Sequence, residues 1–255
     1  MMNYEMGLVS ISFRDKSPSE IIEAVKDARL CCIEWGSDVH APCDDLEKLK
    51  KLTLLQEKYG ISCSSYGTYF RLGVNDVSEL TKYINAAKIL GTDIIRLWCG
   101  DKSPYKYLKN EKKLLFKACA DAAEIARENN IKFCLECHNH TYTETKESAL
   151  EIMEYVSSPW FCMYWQPNQF KSFDENIEYI RLLKKYVEHL HVFNWVEEKR
   201  FPLFEAKSDW HKYLMEFGTG KTVLLEFMHD NRIESLKTEA ETLKEIVTSV
   251  NAKED

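Results

Sequence analysis

Two short apolar segments of the chain each end in a glutamate. Glu136 follows Phe133-Cys134-Leu135, and Glu226 follows Leu225 in a segment of the same form. A carboxylate at the end of a buried strand is costly unless it faces a pocket or a partner. Both glutamates are therefore candidates for metal binding or for proton transfer.

A pair of histidines stands between these two acids, in His189-Leu190-His191. Residues two apart on a strand point to the same side, and His191 lies nearer the C-terminal end, which favours it as the ligand. Two carboxylates and one imidazole suit a hard divalent cation. The same glutamates could move protons at a carbon next to a carbonyl group, while the cation stabilises the enediolate oxygen that forms.

The segment that carries Glu136 is one of eight strand-like segments, which alternate with helical ones. Two of the helix starts, Ser17-Pro18-Ser19-Glu20 and Ser172-Phe173-Asp174-Glu175, have the form of a capping box. Eight units of roughly 30 residues predict an α/β fold, a single (β/α)₈ TIM barrel. Because no linker interrupts the units, we expect one domain over residues 1–255. An open doubly wound sheet is disfavoured, since Ser10–Arg14, after the first strand, lacks a glycine-rich turn.

In a barrel of this kind the ends of the strands and the loops after them form the active face. Arg96, inside the fourth strand, is either an internal partner of Glu34 or Glu136, or a contact for a substrate anion. Gln169, after the sixth strand, is a further candidate for substrate binding. Large aromatic residues at the strand ends predict a wall that packs against the C–H faces of a sugar: Trp35, Tyr66, Trp98, Trp165 and Trp195.

Composition and charge exclude several other classes of protein. A net charge of −7 disfavours nucleic acid as a partner, and no apolar run is long enough to cross a membrane. The nine cysteines are scattered and no signal segment precedes the first strand, so a reducing cytoplasm is expected. Cys134 and Cys137 form an isolated CxxC on a strand, which lacks the second pair of a zinc site. Gly218–Thr222 ends like a phosphate loop, but Met215 replaces the required glycine.

In their order along the chain, the strand-end segments resemble the xylose isomerase-like TIM-barrel superfamily, in its sugar phosphate isomerase/epimerase branch. The resemblance covers nearly the whole length. The segments that carry it are Ile33-Glu34-Trp35-Gly36, Asp38-Val39-His40, Ser64-Ser65-Tyr66-Gly67, Ile95-Arg96-Leu97-Trp98, Leu135-Glu136-Cys137-His138, His191-Val192-Phe193 and Leu225-Glu226-Phe227.

The resemblance implies a divalent ion, Mn²⁺, Mg²⁺, Co²⁺ or Zn²⁺, held by Glu136, His191 and Glu226, with the two glutamates as acid and base. In the family's strand-six pattern, an aspartate is followed three residues later by a histidine. This chain has Gln166 and Gln169 at those positions. An amide oxygen of Gln166 could complete the ligand set without adding charge. We therefore expect weaker metal binding, another metal preference, or a site that fills only with substrate present.

The leading interpretation is a metal-assisted isomerase or epimerase of a sugar or sugar phosphate, which acts through an enediolate. One alternative is a dehydratase of a cyclic hydroxyketone, with His138 as an added acid or base. Another is a sugar-binding barrel without catalysis. A nuclease of the same fold is disfavoured, because its three-metal cluster needs more histidines and the surface of this chain is acidic. Relatives commonly form dimers and tetramers, and the sequence leaves the oligomeric state open.

Overall fold

The computed structural model describes residues 4–218 and 220–251. Eight parallel strands form a closed barrel. Around the barrel the order is β1, β2, β3, β4, β5, β6, β7 and β10, and β8 and β9 form a separate two-stranded sheet. The strands are β1 Glu5–Val9, β2 Cys32–Gly36, β3 Ser62–Leu72, β4 Ile94–Cys99, β5 Lys132–Glu136, β6 Phe161–Trp165, β7 Val187–Val192, β8 Trp195–Val196, β9 Lys199–Arg200 and β10 Thr222–Leu225.

Eight helices alternate with the barrel strands, so the predicted (β/α)₈ barrel is confirmed. They are α1 Pro18–Asp27, α2 Leu46–Tyr59, α3 Leu80–Leu90, α4 Lys109–Asn129, α5 Lys146–Val156, α6 Phe173–Leu183, α7 Lys207–Phe217 and α8 Leu236–Asn251. The domain predicted over 1–255 also includes residues 1–3, 219 and 252–255, which lie outside the described residues.

Both predicted capping boxes are present. The Ser17 hydroxyl accepts from the amide of Glu20, and the Glu20 carboxylate accepts from the Ser17 amide in return. Ser172 and Glu175 make the same reciprocal pair at the start of α6. These pairs satisfy amides that the first helical turn would otherwise leave free, which is why the helix starts were readable from sequence.

Alternation along the strands separates a barrel interior from a layer that faces the helices. The interior contains a layer of mostly cysteine and aliphatic side chains that includes Cys32, Cys134, Cys162 and Leu224. Two residues further along three of these strands lie the charged side chains of Glu34, Glu136 and Glu226. The barrel therefore carries an apolar floor with a buried charged layer above it, at the carboxyl ends of the strands.

A short hairpin after β7 was not predicted. Trp195 pairs with Arg200 in it, and the amide of Glu197 donates to the carbonyl oxygen of Gln169 at 3.0 Å. Strands of two residues give no alternating pattern, so this element has no sequence signal. Within the described ranges, no helix is both long and apolar enough to cross a membrane.

Candidate metal centre

Three side chains from three different strand ends converge inside the top of the barrel. Glu136 ends β5, His191 lies in β7 and Glu226 follows β10, and one ligand atom from each lies within 4.8 Å of the other two. The Nδ1 atom of His191 is 3.5 Å from Oε1 of Glu136 and 3.5 Å from Oε2 of Glu226. Two buried carboxylates around one imidazole nitrogen fit a divalent cation.

The amide of Gln166 belongs to the same group. Its Oε1 atom lies 3.1 Å from Nδ1 of His191, on the imidazole nitrogen that the two carboxylates also face. The structure thus brings together all four side chains of the predicted ligand set. An amide oxygen can ligate a hard cation, but it adds no negative charge.

Glu34, at the end of β2, is a functional candidate that sequence reasoning considered only as a partner of Arg96. Its side chain is fully buried, and its Oε2 lies 3.6 Å from Nε2 of His191, the nitrogen that points away from the carboxylate pair. Ser65 donates to the same oxygen at 3.0 Å. A carboxylate on the far nitrogen of a ligand histidine fixes the orientation of the ring. The signal was available, since Ile33-Glu34 repeats the form of Leu135-Glu136 and Leu225-Glu226.

Arg96 connects the two sides of this layer. Its Nε donates to Oε1 of Glu34 at 2.9 Å, and its Nη1 donates to Oε2 of Glu136. The indole N–H of Trp98 donates to the same Glu136 oxygen. Arg96 therefore has the internal partners that one of the two sequence interpretations gave it. The buried guanidinium has a carboxylate on each side, so its charge is not left unpaired.

The two carboxylates of the candidate site differ in proton affinity. Burial opposes ionisation of Glu136, but the charges of Arg96 and His191 outweigh burial and hold its pKa well below the ordinary value. For Glu226, burial raises the pKa, and the nearby charge of Glu136 acts in the same direction. Environments that shift the pKa values of two carboxyl groups in opposite directions favour one group as a base and the other as an acid.

A cavity of about 380 Å³ opens above the cluster. The predicted substrate contacts Trp98, Gln169 and Trp195 line it, together with His138. The imidazole of His138 stacks on the indole of Trp98 with 4.7 Å between ring centroids. Its Nδ1 lies 2.7 Å from the carbonyl oxygen of Asn139. That carbonyl can only accept, so Nδ1 carries the proton and Nε2 is left to exchange one.

Three members of the predicted aromatic wall lie elsewhere, which corrects the assignment of Trp35 and Tyr66 as substrate contacts. The indole of Trp35 donates to Gln56 of α2 at 2.8 Å, and the Tyr66 hydroxyl donates to the carbonyl oxygen of Ala41 at 2.6 Å. Trp165 packs against aromatic side chains of α7. Trp35 and Trp165 each stand next to a residue whose side chain points into the barrel. Because successive side chains of a strand point to opposite sides, both tryptophans point outward, toward the helices.

Sequence reasoning also missed much of the cavity wall, because most of it comes from loops. Loop residues follow no periodic pattern, and their side chains meet only after folding. The missed lining residues include Arg14, Asn139, Glu144, Phe170, Asn176, Phe193 and Phe227.

Comparisons with known proteins agree with the architecture. The family model described as xylose isomerase-like TIM barrel matches residues 22–246. No protein with a curated description matches the chain significantly in sequence.

Solved structures share the fold at low sequence identity. A probable 3-DHS dehydratase, AsbF, from Bacillus anthracis is 18% identical with a TM-score of 0.78, over 95% of this chain and 99% of that chain. D-psicose 3-epimerase from Clostridium cellulolyticum H10, solved with D-tagatose, is 14% identical with a TM-score of 0.71, over 96% and 99% of the two chains. A xylose isomerase-like TIM barrel protein from Mycobacterium smegmatis, in complex with magnesium, is 12% identical with a TM-score of 0.73, over 97% and 98%.

Sequence identities this low show a shared fold only. The activity must therefore be argued from the residues of the site. The family match covers most of the chain, and the closed eight-stranded barrel has the matching architecture. The chain belongs to the xylose isomerase-like TIM barrel family.

Proposed function

We propose that this protein is a divalent-metal-dependent isomerase or epimerase that acts on a sugar. The observation that carries the proposal is the convergence of Glu136, His191 and Glu226 beneath a cavity of about 380 Å³. A cavity of that volume accommodates a small molecule of the size of a monosaccharide. The solved epimerase and the magnesium complex of the same fold support this class of reaction and cofactor.

Glu136, Gln166, His191 and Glu226 would hold the ion. When bound, it would supply Lewis-acid stabilisation for the negative charge that develops on a substrate oxygen. The fit rests on the donor set, which offers carboxylate, amide and imidazole atoms around one point. A single amide among the oxygen donors predicts an affinity below that of a site with three carboxylates.

Proton transfer falls to the two glutamates. Glu136 is held ionised by Arg96, so it is the base that removes a proton from the carbon next to the carbonyl. Its Oε2 accepts hydrogen bonds from Arg96 and Trp98. Burial raises the pKa of Glu226, so Glu226 takes up a proton more readily than Glu136 and is the group that returns one to the substrate.

The cavity wall supplies groups that suit a sugar. Trp98 and Trp195 offer aromatic faces for C–H bonds, and Gln169 offers an amide for hydroxyl groups. The indole nitrogen of Trp195 is buried with no hydrogen-bond partner among the described residues.

A dehydratase acting on a cyclic hydroxyketone is the second candidate. The observation that favours it is the position of His138, whose Nε2 is left for proton exchange at the wall of the same cavity. An imidazole there could protonate a leaving hydroxyl group after Glu136 has removed the neighbouring proton. The solved probable dehydratase of this fold supports the same reading.

Free thiols support the proposed cytoplasmic location. All nine cysteines are unpaired, and five of them lie on strands β2 to β6. Such a set of reduced thiols is typical of a reducing compartment.

Incubation with Mn²⁺ and a panel of ketoses in D₂O tests the proposal. We expect deuterium at the carbon next to the carbonyl and a new epimer or aldose, both seen by NMR. An absorbing enone with loss of water would instead identify the dehydratase. Glu136→Gln should abolish exchange. A protein that binds sugar but gives neither exchange nor product would contradict catalysis and favour the sugar-binding barrel.

A further inference from the structure

We infer that Arg71, which lies outside the cavity, is a positioning residue that holds the indole of Trp98 at the cavity wall. Through Trp98 it acts on Glu136 and His138, which line the same cavity. The inference goes beyond the proposed function, because it concerns how the wall is held in place. It applies equally to an isomerase, a dehydratase and a sugar-binding barrel.

An irregularity in β3 brings Arg71 to Trp98. Gly67 of β3 pairs with Arg96 of β4, and Arg71 pairs with Trp98, so β3 advances by four residues where β4 advances by two. Extra residues on one strand of a pair form a bulge, which re-aims the side chains that follow it and is common next to active sites. In a regular register, Tyr69 would stand opposite Trp98. The bulge puts an arginine there instead.

The backbone of Arg71 is fixed by the turn that ends β3. Its amide donates to Oδ1 of Asn75 at 2.7 Å, and its carbonyl oxygen accepts from the amides of Val74 at 3.1 Å and Asn75 at 2.9 Å. Gly73 supplies the turn with a φ of +77°, a conformation that glycine adopts without strain. The arginine side chain therefore starts from a defined point of the backbone.

The guanidinium of Arg71 lies over the indole of Trp98. Its Cζ atom is 4.1 Å from the centroid of the indole ring, and its Nη1 donates to the carbonyl oxygen of Gly100 at 2.9 Å. Both of these groups are uncharged. A cation over the face of a tryptophan is attracted by the quadrupole of the ring. The Gly100 carbonyl thus directs the guanidinium, and the cation in turn fixes the position of the indole.

Trp98 transmits this constraint to two groups of the cavity. Its indole N–H donates to Oε2 of Glu136, a candidate metal ligand. The imidazole of His138 stacks on the same indole, with 27° between the two ring planes. Arg71 belongs to β3 and His138 follows β5, so Trp98 on β4 is contacted from both neighbouring strands. A displaced indole would disturb the hydrogen bond and the stacked imidazole together.

Trp98 depends on individual contacts more than the other tryptophans near the barrel do. Trp35 and Trp165 are fully buried, and close packing on all sides holds such side chains in place. Trp98 is half-buried at the wall of the cavity, where packing is incomplete. Tyr69 adds an edge contact, with 5.6 Å between ring centroids. The cation is therefore a main constraint on this indole.

Hydrogen exchange of the indole N–H groups, followed by NMR on the full chain without added metal or sugar, tests this inference. We expect Arg71→Met to accelerate exchange of the Trp98 N–H about tenfold, because a partly buried cation–π contact is lost. The Trp98 signal is identified by its absence in Trp98→Phe. The Trp35 N–H, which donates to Gln56 at 2.8 Å, is the internal control and should keep its rate. Arg127→Met, at an exposed arginine of α4, is the matched control and should change neither rate.

Two further variants separate the charge of Arg71 from its shape. Arg71→Gln keeps a donor for the Gly100 carbonyl oxygen but loses the charge, so the Trp98 N–H should exchange as fast as in Arg71→Met. Arg71→Lys keeps the charge and should retain most of the protection. An unchanged Trp98 rate in both uncharged variants would overturn the inference. Equal acceleration at Trp35 would also overturn it, because it would show a general loosening of the barrel.

This test is separate from the test of the proposed function. A chain that binds no metal and converts no sugar keeps the inference, provided that exchange at Trp98 responds to the charge at position 71. An active isomerase whose Trp98 does not respond keeps its function and loses the inference.

Discussion

The Nε2 atom of His191 lies 3.6 Å from Oε2 of Glu34, while the Nδ1 atom of the same ring faces Glu136 and Glu226 at 3.5 Å. One imidazole thus connects the candidate metal ligands to a carboxylate on the opposite side of the barrel. Burial lowers the proton affinity of His191, but the charges of Glu226 and Glu34 outweigh it and raise its pKa to about 10. We infer that the charge of Glu34 positions the candidate ligand histidine.

Replacement of Glu34 tests this role. Glu34→Gln keeps the size of the side chain but removes the charge that orients His191, so we expect Mn²⁺ affinity to fall about 10- to 100-fold. Isothermal titration with Mn²⁺ measures it. Glu188→Gln is the control, since Glu188 pairs with Lys132 at 2.9 Å at the start of β7 and away from the cluster. An equal loss of Mn²⁺ affinity in both variants would indicate a general loss of stability and contradict the positioning role.

Gly67 is required by the buried ion pair of Glu34 and Arg96. A Cβ atom at this position would lie 2.5 Å from Oε1 of Glu34 and 2.9 Å from Nη2 of Arg96. We expect Gly67→Ala to lower the free energy of unfolding in urea by about 1–3 kcal/mol, because the pair must move. Gly91→Asn is a matched control, since no atom lies within 4 Å of a Cβ added at Gly91 and asparagine tolerates a φ of +80° there. A Gly67→Ala protein as stable as the wild type would refute the close packing.

Gln166 sets the charge of the ligand group. Gln166→Asp adds a third carboxylate near Nδ1 of His191, so we expect Mn²⁺ to bind roughly tenfold more tightly. Gln169→Glu adds a negative charge further along the same loop and controls for the general field of the cavity. If the two variants gain affinity equally, Gln166 has no place among the ligands.

His138 separates the two candidate reactions. In an isomerase that relies on Glu136 and Glu226, His138→Gln should lower kcat by less than tenfold, whereas loss of a required acid or base costs about 10²- to 10⁴-fold. Steady-state kinetics on the sugar found by the D₂O experiment measures it. A loss of the larger size, with a changed pH profile, would move the assignment toward the dehydratase.

The sequence predicted the barrel because each unit carries local signals. Capping boxes such as Ser172–Glu175 depend on contacts three residues apart, and they appear where the spacing indicates. Charged strand ends such as Glu136 and Glu226 also follow from the rule that parallel strands share one active edge.

What the sequence did not provide depends on side-chain direction and on loops. Trp35 was assigned to the cavity although it alternates with Glu34, and the two face opposite sides of β2. The hairpin at 195–200 and the hydrogen bond between the amides of Asn139 and Asn168 arise from long-range contacts, which no local spacing encodes.

The central claim is that Glu136, His191 and Glu226 together bind a divalent ion. Equilibrium titration with Mn²⁺ of the wild type and of Glu226→Gln tests it most directly. We predict one ion per chain in the wild type, and an affinity lower by about 100-fold in the variant, because a charged ligand has become neutral. Binding of equal strength in the two proteins, or no binding in the wild type, would contradict the claim.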